Sequence, residues 1–350
     1  MHVTRLVAST TAAALSLTAL ISPTAPALAD DIVEGPEVSW RLSSWGTRRP
    51  FTEGVEAVAA HVAERTGGNF TISIAYGGQL SNPRENLDGI AVGAFPMAMF
   101  CSSYHPGRHP SVMVLDLPFL PLTDLAVTQA VHEAVYAHPQ VQEEFAQWRA
   151  MLFMSAIIPQ YEFIGRGTPP AELEDFSGMR VRALGGLGDA MTRIGATPTP
   201  VQATDIYTAI DRGTIDATMF PLSSMLAFRL QEVSSWFSVD MNPGTLNCPV
   251  VINIDAFEAL PEQYQELLME AKALGYEALI EANEAGTVEA MELFEAEMEM
   301  VRFTDEQMEA FREAAAEAVW EDWVAEAEAA GRPGRELLDL VLETAAQGTN

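Results

Sequence analysis

The chain has 350 residues, 48% of them hydrophobic, enough to bury a large core in one to three domains. Forty-nine acidic residues against 19 basic ones give a formal charge of −30, and Lys272 is the single lysine. Such a surface repels phosphate backbones and argues against nucleic-acid binding, while suiting a protein kept soluble at high concentration or in salt.

His2 and Arg5 precede an apolar run over residues 6–21, and Ala27-Leu28-Ala29 is a small-x-small site followed by two aspartates. This is the pattern of a secretory signal peptide over residues 1–29, cleaved after Ala29. The run is short and rich in Ser and Thr, which disfavours a membrane anchor. No cysteine follows it, so lipid attachment is not expected, and no later stretch is apolar enough to span a bilayer. The expected location is the periplasm.

In the mature chain, residues 37–44 alternate like a strand, Trp45 to Pro50 form the loop at its end, and residues 51–65 carry an apolar stripe at helical spacing. A second strand over 70–75, a helix ending at Gly93 and a strand over 94–100 complete a βαβαβ unit. His132 and His138 read as ordinary helix surface. Residues 151–158 form an apolar strand, and a short strand over 159–166 marks the crossing into a second lobe.

The stretch from Asp175 to Phe220 opens on a turn at Ser177-Gly178 and a strand over 179–184. Arg180 and Arg182 share one face of it. Gly185 and Gly186 end the strand, a helix runs to about Ile194, and a helix over 205–211 leads into a strand over 214–220. Strand–helix alternation predicts a parallel α/β layer, whose ligands collect at the carboxyl ends of strands, where Arg182 sits. Residues 90–100 echo residues 210–220, with Ile, Gly, Met and Phe in register. If the echo is not chance, two lobes are built alike and face each other across a cleft.

Residues 248–254 read as a strand returning across that cleft. Pro261 opens a helical run to about Met300, with Gly275 and Gly286 as bends. Thr304 to Gln307 form a capping box for a helix to about Ala330, and a last helix takes 335–345. The acidic faces here read as solvated surface.

Cys101 and Cys248 read as two buried thiols, with pairing across the fold as the other reading. Cys101, His105 and His109 resemble a metal cluster on paper, but Pro106 and Gly107 break the helix such ligands need and no carboxylate lies near. No metal and no cofactor are expected. The hydrolase elbow, the zinc-protease motif and the phosphate loop are all missing, and Gly186-Leu-Gly188 lacks the third glycine of a dinucleotide loop.

Together, Asp175-Phe-Ser-Gly178-Met-Arg-Val-Arg182, Gly195-Ala-Thr-Pro-Thr-Pro, Ile206-Tyr207-Thr-Ala-Ile, Gly213-Thr-Ile-Asp216 and Pro221 resemble the solute-binding receptors of TRAP transporters, the DctP-like family. Gly78-Gln79-Leu80, Pro118-Phe119 and Ala259-Leu260-Pro261 match its secondary motifs. The resemblance covers essentially the whole mature chain.

It implies an α/β, two-lobed periplasmic binding-protein fold, each lobe a mixed sheet flanked by helices, with a long helix spanning both. The expected division is 30–158 plus about 248–285 for one lobe and 159–247 plus about 286–350 for the other. It further implies a monomer that closes on a small organic acid and hands it to the membrane permease subunits of a sodium-coupled TRAP transporter. The family's ligand arginine falls on Arg182, whose planar guanidinium suits a carboxylate; Arg180 is expected in solvent.

The chain departs from the family in places. Phe220 stands where sialic-acid receptors often have Asn, and Ala203 where an aromatic residue is frequent. Their second arginine falls on Glu162 without a gap and on Arg166 with one. A cleft-facing Glu162 would call for a cationic or hydroxyl group on the ligand and would weigh against sialic acid and simple C4-dicarboxylates. Phe220 and Trp45 are placed at the cleft. For Phe100, Ser102, Tyr104, Tyr161 and Asn247, core packing or a loop contact stands as an equal alternative. A receptor for an ATP-driven importer and a secreted enzyme on the same scaffold are the competing functions. The first should lack the Gly178–Arg182 motif; the second needs a nucleophile–base pair.

Overall fold

The computed structural model describes residues 32–122 and 124–348; the signal-peptide reading lies outside them. The first sheet begins with β1 (Val38–Ser43), α1 (Glu53–Arg65), β2 (Phe70–Ala75), α2 (Asn86–Ala91) and β3 (Met97–Met99). Helices α3 (Leu125–Tyr136) and α4 (Pro139–Ala146) then lead to β4 (Ala150–Ser155). Asp124 starts α3 by accepting from the backbone N–H groups of Ala126 and Val127.

The chain crosses to a second sheet through β5 (Glu162–Gly165), followed by β6 (Arg180–Arg182), α5 (Gly185–Arg193), β7 (Thr197–Pro198), α6 (Ile206–Asp211), β8 (Ala217–Phe220), α7 (Leu222–Ala227) and β9 (Trp236–Ser238). It returns through β10 (Pro249–Asn253) and α8 (Ile254–Glu258). Helix α9 (Glu262–Glu297) then leads to β11 (Glu299–Val301), α10 (Asp305–Ala329) and α11 (Gly334–Gly348).

The sheet orders are β2-β1-β3-β10-β4 and, read from the other edge, β7-β6-β8-β5-β9-β11. Strands β1, β2 and β3 are mutually parallel, as are β6, β7 and β8, and in each sheet the fourth strand (β10 or β5) runs antiparallel to its neighbours. Each sheet therefore borrows its one reversed strand from a crossing segment. The sequence echo is real structure: α2–Gly93–β3 and α6–Gly213–β8 occupy corresponding places, and both glycines sit at φ 68°.

Helix α9 is continuous over 36 residues and packs on α1 of the first lobe and α7 of the second. Its glycines are not bends, as the sequence suggested. A Cβ on Gly275 would sit 2.8 Å from Val58 and 3.0 Å from the Gly54 carbonyl, and one on Gly286 would sit 2.7 Å from Pro50. They let neighbouring backbone approach. Helix α10 lies on α5, while α11 turns back onto α3.

Two further expectations are corrected. Cys101 and Cys248 form a disulfide, tying the segment after β3 to the start of β10. His132 is fully buried, not surface, with Nδ1 2.7 Å from Ser155 Oγ, and burial pushes its pKa down to about 3. His138 is no ordinary surface residue either: its side chain accepts from Gln140 N–H at the start of α4.

Candidate ligand-binding site

The carboxyl ends of β1 and β3 face those of β6 and β8. Where they meet, a small cavity is lined by residues of both lobes and both crossings. The first sheet contributes Trp45, Arg49, Phe51, Cys101 and Tyr104; the second contributes Arg182, Ala203, Phe220, Pro221 and Ser224; the crossings contribute Ile158, Tyr161 and Leu246.

A larger open groove, about 390 Å³, lies between Met113, Gly185 and Trp323. It mixes acidic residues with arginines, and Arg193 there is paired with Asp322. Strand ends converge on the smaller cavity, so the site is assigned there.

Arg182 ends β6 and is 2% exposed. Its Nε donates to the Val201 carbonyl (3.1 Å) and its Nη1 to the Met219 carbonyl (3.2 Å), while the guanidinium lies 5.3 Å from the Phe220 ring centre. Tyr161 packs edge-on against Phe220 and carries its hydroxyl beside Arg182. Burial pushes the Tyr161 hydroxyl pKa up, so it remains a neutral hydrogen-bonding group. No acidic side chain among the described residues pairs with Arg182, an arrangement that leaves its remaining donors for an anion. Arg180, one turn of the pleat away, is exposed and clamped by Asp216 through Nε (3.0 Å) and Nη2 (2.5 Å).

The structure brings together Arg182, Phe220, Trp45, Tyr104 and Tyr161. Trp45 packs on Phe51 and Tyr104, and the Tyr104 hydroxyl accepts from Ala203 N–H at 3.2 Å, joining the two lobes. Ser102 and Asn247 lie just behind this wall. Asn247 Nδ2 donates to Ser102 Oγ (2.8 Å), its Oδ1 accepts from Tyr136, and its backbone N–H donates to Asp116 (2.6 Å). Phe100 is packed against His109 and Phe145 in the first core.

Glu162 and Arg166 do not line the cavity. Side chains alternate along a strand, so with Tyr161 facing the cleft Glu162 turns away. Its carboxylate accepts from Ser238 Oγ (2.5 Å) and Met241 N–H (3.0 Å), and burial pushes its pKa up to about 7. Because β5 is antiparallel, Arg166 emerges at the far end of the sheet, where it donates to the Ile210 carbonyl at 3.0 Å. The inference that a cleft-facing Glu162 disfavours dicarboxylates therefore lapses.

Sequence reasoning missed Arg49. It follows β1, 6% exposed, and donates from Nη1 to the carbonyls of Trp45 (2.9 Å) and Thr47 (2.8 Å). The signal was available: Arg49 stands in the loop at a strand's carboxyl end, where the ligand rule points.

The family described as bacterial extracellular solute-binding protein, family 7 (DctP), matches residues 43–326. The monocarboxylate 2-oxoacid-binding periplasmic protein of Nostoc sp. is 27% identical over 346 residues, covering 92% of this chain and 93% of its own. The ectoine-binding periplasmic protein TeaA of Halomonas elongata is 29% identical over 277 residues, covering 77% and 79%. A TRAP solute-binding protein of Rhodoferax ferrireducens, crystallised with copurified benzoate, superposes with a TM-score of 0.81 at 18% identity, covering 89% of this chain and 98% of that one. No helix among the described residues is long and apolar enough to cross a membrane. Two like-built lobes meeting at a cavity that holds a strand-end arginine, and a family match over most of the length, lead to one conclusion: the chain belongs to the bacterial extracellular solute-binding proteins of family 7, the DctP family.

Proposed function

We propose that this protein is a periplasmic receptor that closes its two lobes on a small organic acid and delivers it to the membrane permease subunits of a TRAP-type transporter. The observation that carries the reading is Arg182: a buried guanidinium at a strand tip, bonded to two carbonyls and to no acid, inside a cavity walled by both lobes. A buried cation without a counter-ion is costly, so a bound carboxylate that supplies the missing charge favours the closed form. The relatives' names agree in kind: one takes a monocarboxylate 2-oxoacid, and benzoate copurified with the structural neighbour.

The leader over residues 1–29 supports export to the periplasm, and a monomer is the expected state of such a receptor. Binding rather than turnover is favoured because the cavity lining holds Ser224 but no histidine or acid to activate it. The proposed division of the lobes falls at the two crossings and along α9. The packing of α11 on α3 supports counting that helix with the first lobe, where the expectation from sequence counts it with the second.

Mass spectrometry of the molecule that copurifies, followed by calorimetry on the emptied protein, tests this. Arg182→Ala is expected to weaken acid binding by about 2–5 kcal/mol, roughly thirty-fold to several-thousand-fold, with little change in the melting of the empty protein. Unaltered affinity refutes the anchor role.

A further inference from the structure

The cavity inverts the charge of the chain. Forty-nine acidic residues outnumber 19 basic ones overall, yet the cavity lining includes two arginines and no aspartate or glutamate. The two come from opposite lobes. Strands β1 and β6 hold corresponding places in their sheets, second from the edge between parallel neighbours, and each is followed by or ends in one of these arginines.

Arg49 is held by its surroundings without being neutralised. Only its Nη1 has acceptors among the described residues, the carbonyls of Trp45 and Thr47, which leaves Nε and Nη2 without one. The guanidinium lies 4.6 Å from the ring centre of Phe51, 5.4 Å from that of Phe228 and 5.7 Å from that of Trp45. Ring faces offset part of the desolvation of a cation but add no charge. Burial pushes the Arg49 pKa down to about 10, which leaves it cationic at neutral pH. The acids of the adjoining segment do not serve it: Glu53 is paired with Arg48, and Glu56 accepts from the Tyr76 hydroxyl.

We infer that Arg49 is a second anion subsite, and that the ligand carries two anionic groups, one on Arg182 and one on Arg49, joined by a flat apolar or aromatic body. The body follows from the walls: Trp45, Phe51 and Phe220 present rings, with Ile158 and Leu246 beside them. Hydroxyls are few, which disfavours a polyhydroxylated sugar acid. Since each lobe contributes one guanidinium, the second anionic group is what makes ligand binding draw the lobes together. This rests on the receptor reading above and adds the class of acid.

Calorimetry with matched pairs that share a body tests it: benzoate against benzene-1,3- and benzene-1,4-dicarboxylate, and hexanoate against hexanedioate. At least one dicarboxylate is expected to bind ten-fold or more tightly than its monocarboxylate. In Arg49→Gln that ratio should collapse toward one, while Arg49→Lys, which keeps a cation, should retain part of it. A merely structural Arg49 would weaken both members of a pair alike and leave the ratio unchanged. Monocarboxylates bound through Arg182 with no dicarboxylate preference, no dicarboxylate bound at all, or a copurifying ligand with one anionic group overturns the inference while leaving the receptor reading intact. Failure of every acid to bind, in wild type and Arg182→Gln alike, overturns both.

Discussion

At the scale of single residues, parity along a strand decides which side chain reaches the proposed site. Tyr161 and Glu162 are adjacent, yet one faces the cavity between the lobes and the other a hydroxyl and two amides behind it. Glu162→Gln should therefore leave acid affinity unchanged in calorimetry; a clear loss would return this side chain to the cleft. Its effect should appear in stability. The folded pKa is raised from 4.5 to about 7, so the stabilisation is fully present below 4.5 and lost as pH rises through 7. Glu162→Gln should remove that decline, read from denaturant unfolding between pH 5 and 8.

At the scale of elements, closure depends on how near α5 can come to the first lobe. A Cβ on Gly186 would sit 2.7 Å from the Asp116 carbonyl oxygen, 3.0 Å from Leu117 Cα and 3.1 Å from Pro118 Cδ. These are backbone and ring atoms that cannot rotate aside. Gly186→Ala should hold the first turn of α5 off this segment and disfavour the closed form by about 1–3 kcal/mol. Affinity should fall roughly five- to 150-fold, and small-angle scattering with saturating acid should show a larger radius than wild type. Equal affinity and radius would mean that the contact yields without consequence. Much of this architecture was legible from period and punctuation. The βαβαβ unit, the strand-end arginine, the crossing segments and the capping box at Thr304 all follow from local pattern. Short strands such as β9 and β11 were not, because three residues show no alternation and their pairing is set by distant chain. Close approach was misread as bending at Gly275 and Gly286, since glycine permits both and only the neighbour decides. Local pattern could not choose between paired and free cysteines, though pairing was one of the two readings, and it did not show the inward turn of His132; both are set by packing across more than twenty residues.

At the scale of the whole molecule, the interior holds titratable groups whose contributions to stability oppose each other. Burial pushes the pKa of His105 down to about 4, and those of His109 and His132 down to about 3, from 6.5; it pushes Asp116 up from 3.8 to about 7. The histidines contribute stability that is present above 6.5 and lost as pH falls toward 4 and 3. Asp116 contributes stability that is present below 3.8 and lost as pH rises through 7. Between about pH 4.5 and 6.5 the native state thus binds fewer protons on its histidines and more on Asp116 and Glu162, and the slopes partly cancel. Removing one term exposes the other. Asp116→Asn keeps an acceptor for Asn247 N–H and a donor for Ser103 Oγ, so packing is retained. It should steepen the rise of unfolding free energy with pH by about 1.4 kcal/mol per pH unit across this window, the effect of one proton. Comparing wild type and variant under identical salt cancels the self-repulsion of a chain at −30, which acts on both alike. An unchanged slope would mean that Asp116 is ionised in the folded protein at these pH values. The carboxylate beneath Gly185 and Gly186 would then face the first turn of α5 as a constant charge, and neither stability nor closure would draw a pH dependence from it in this window.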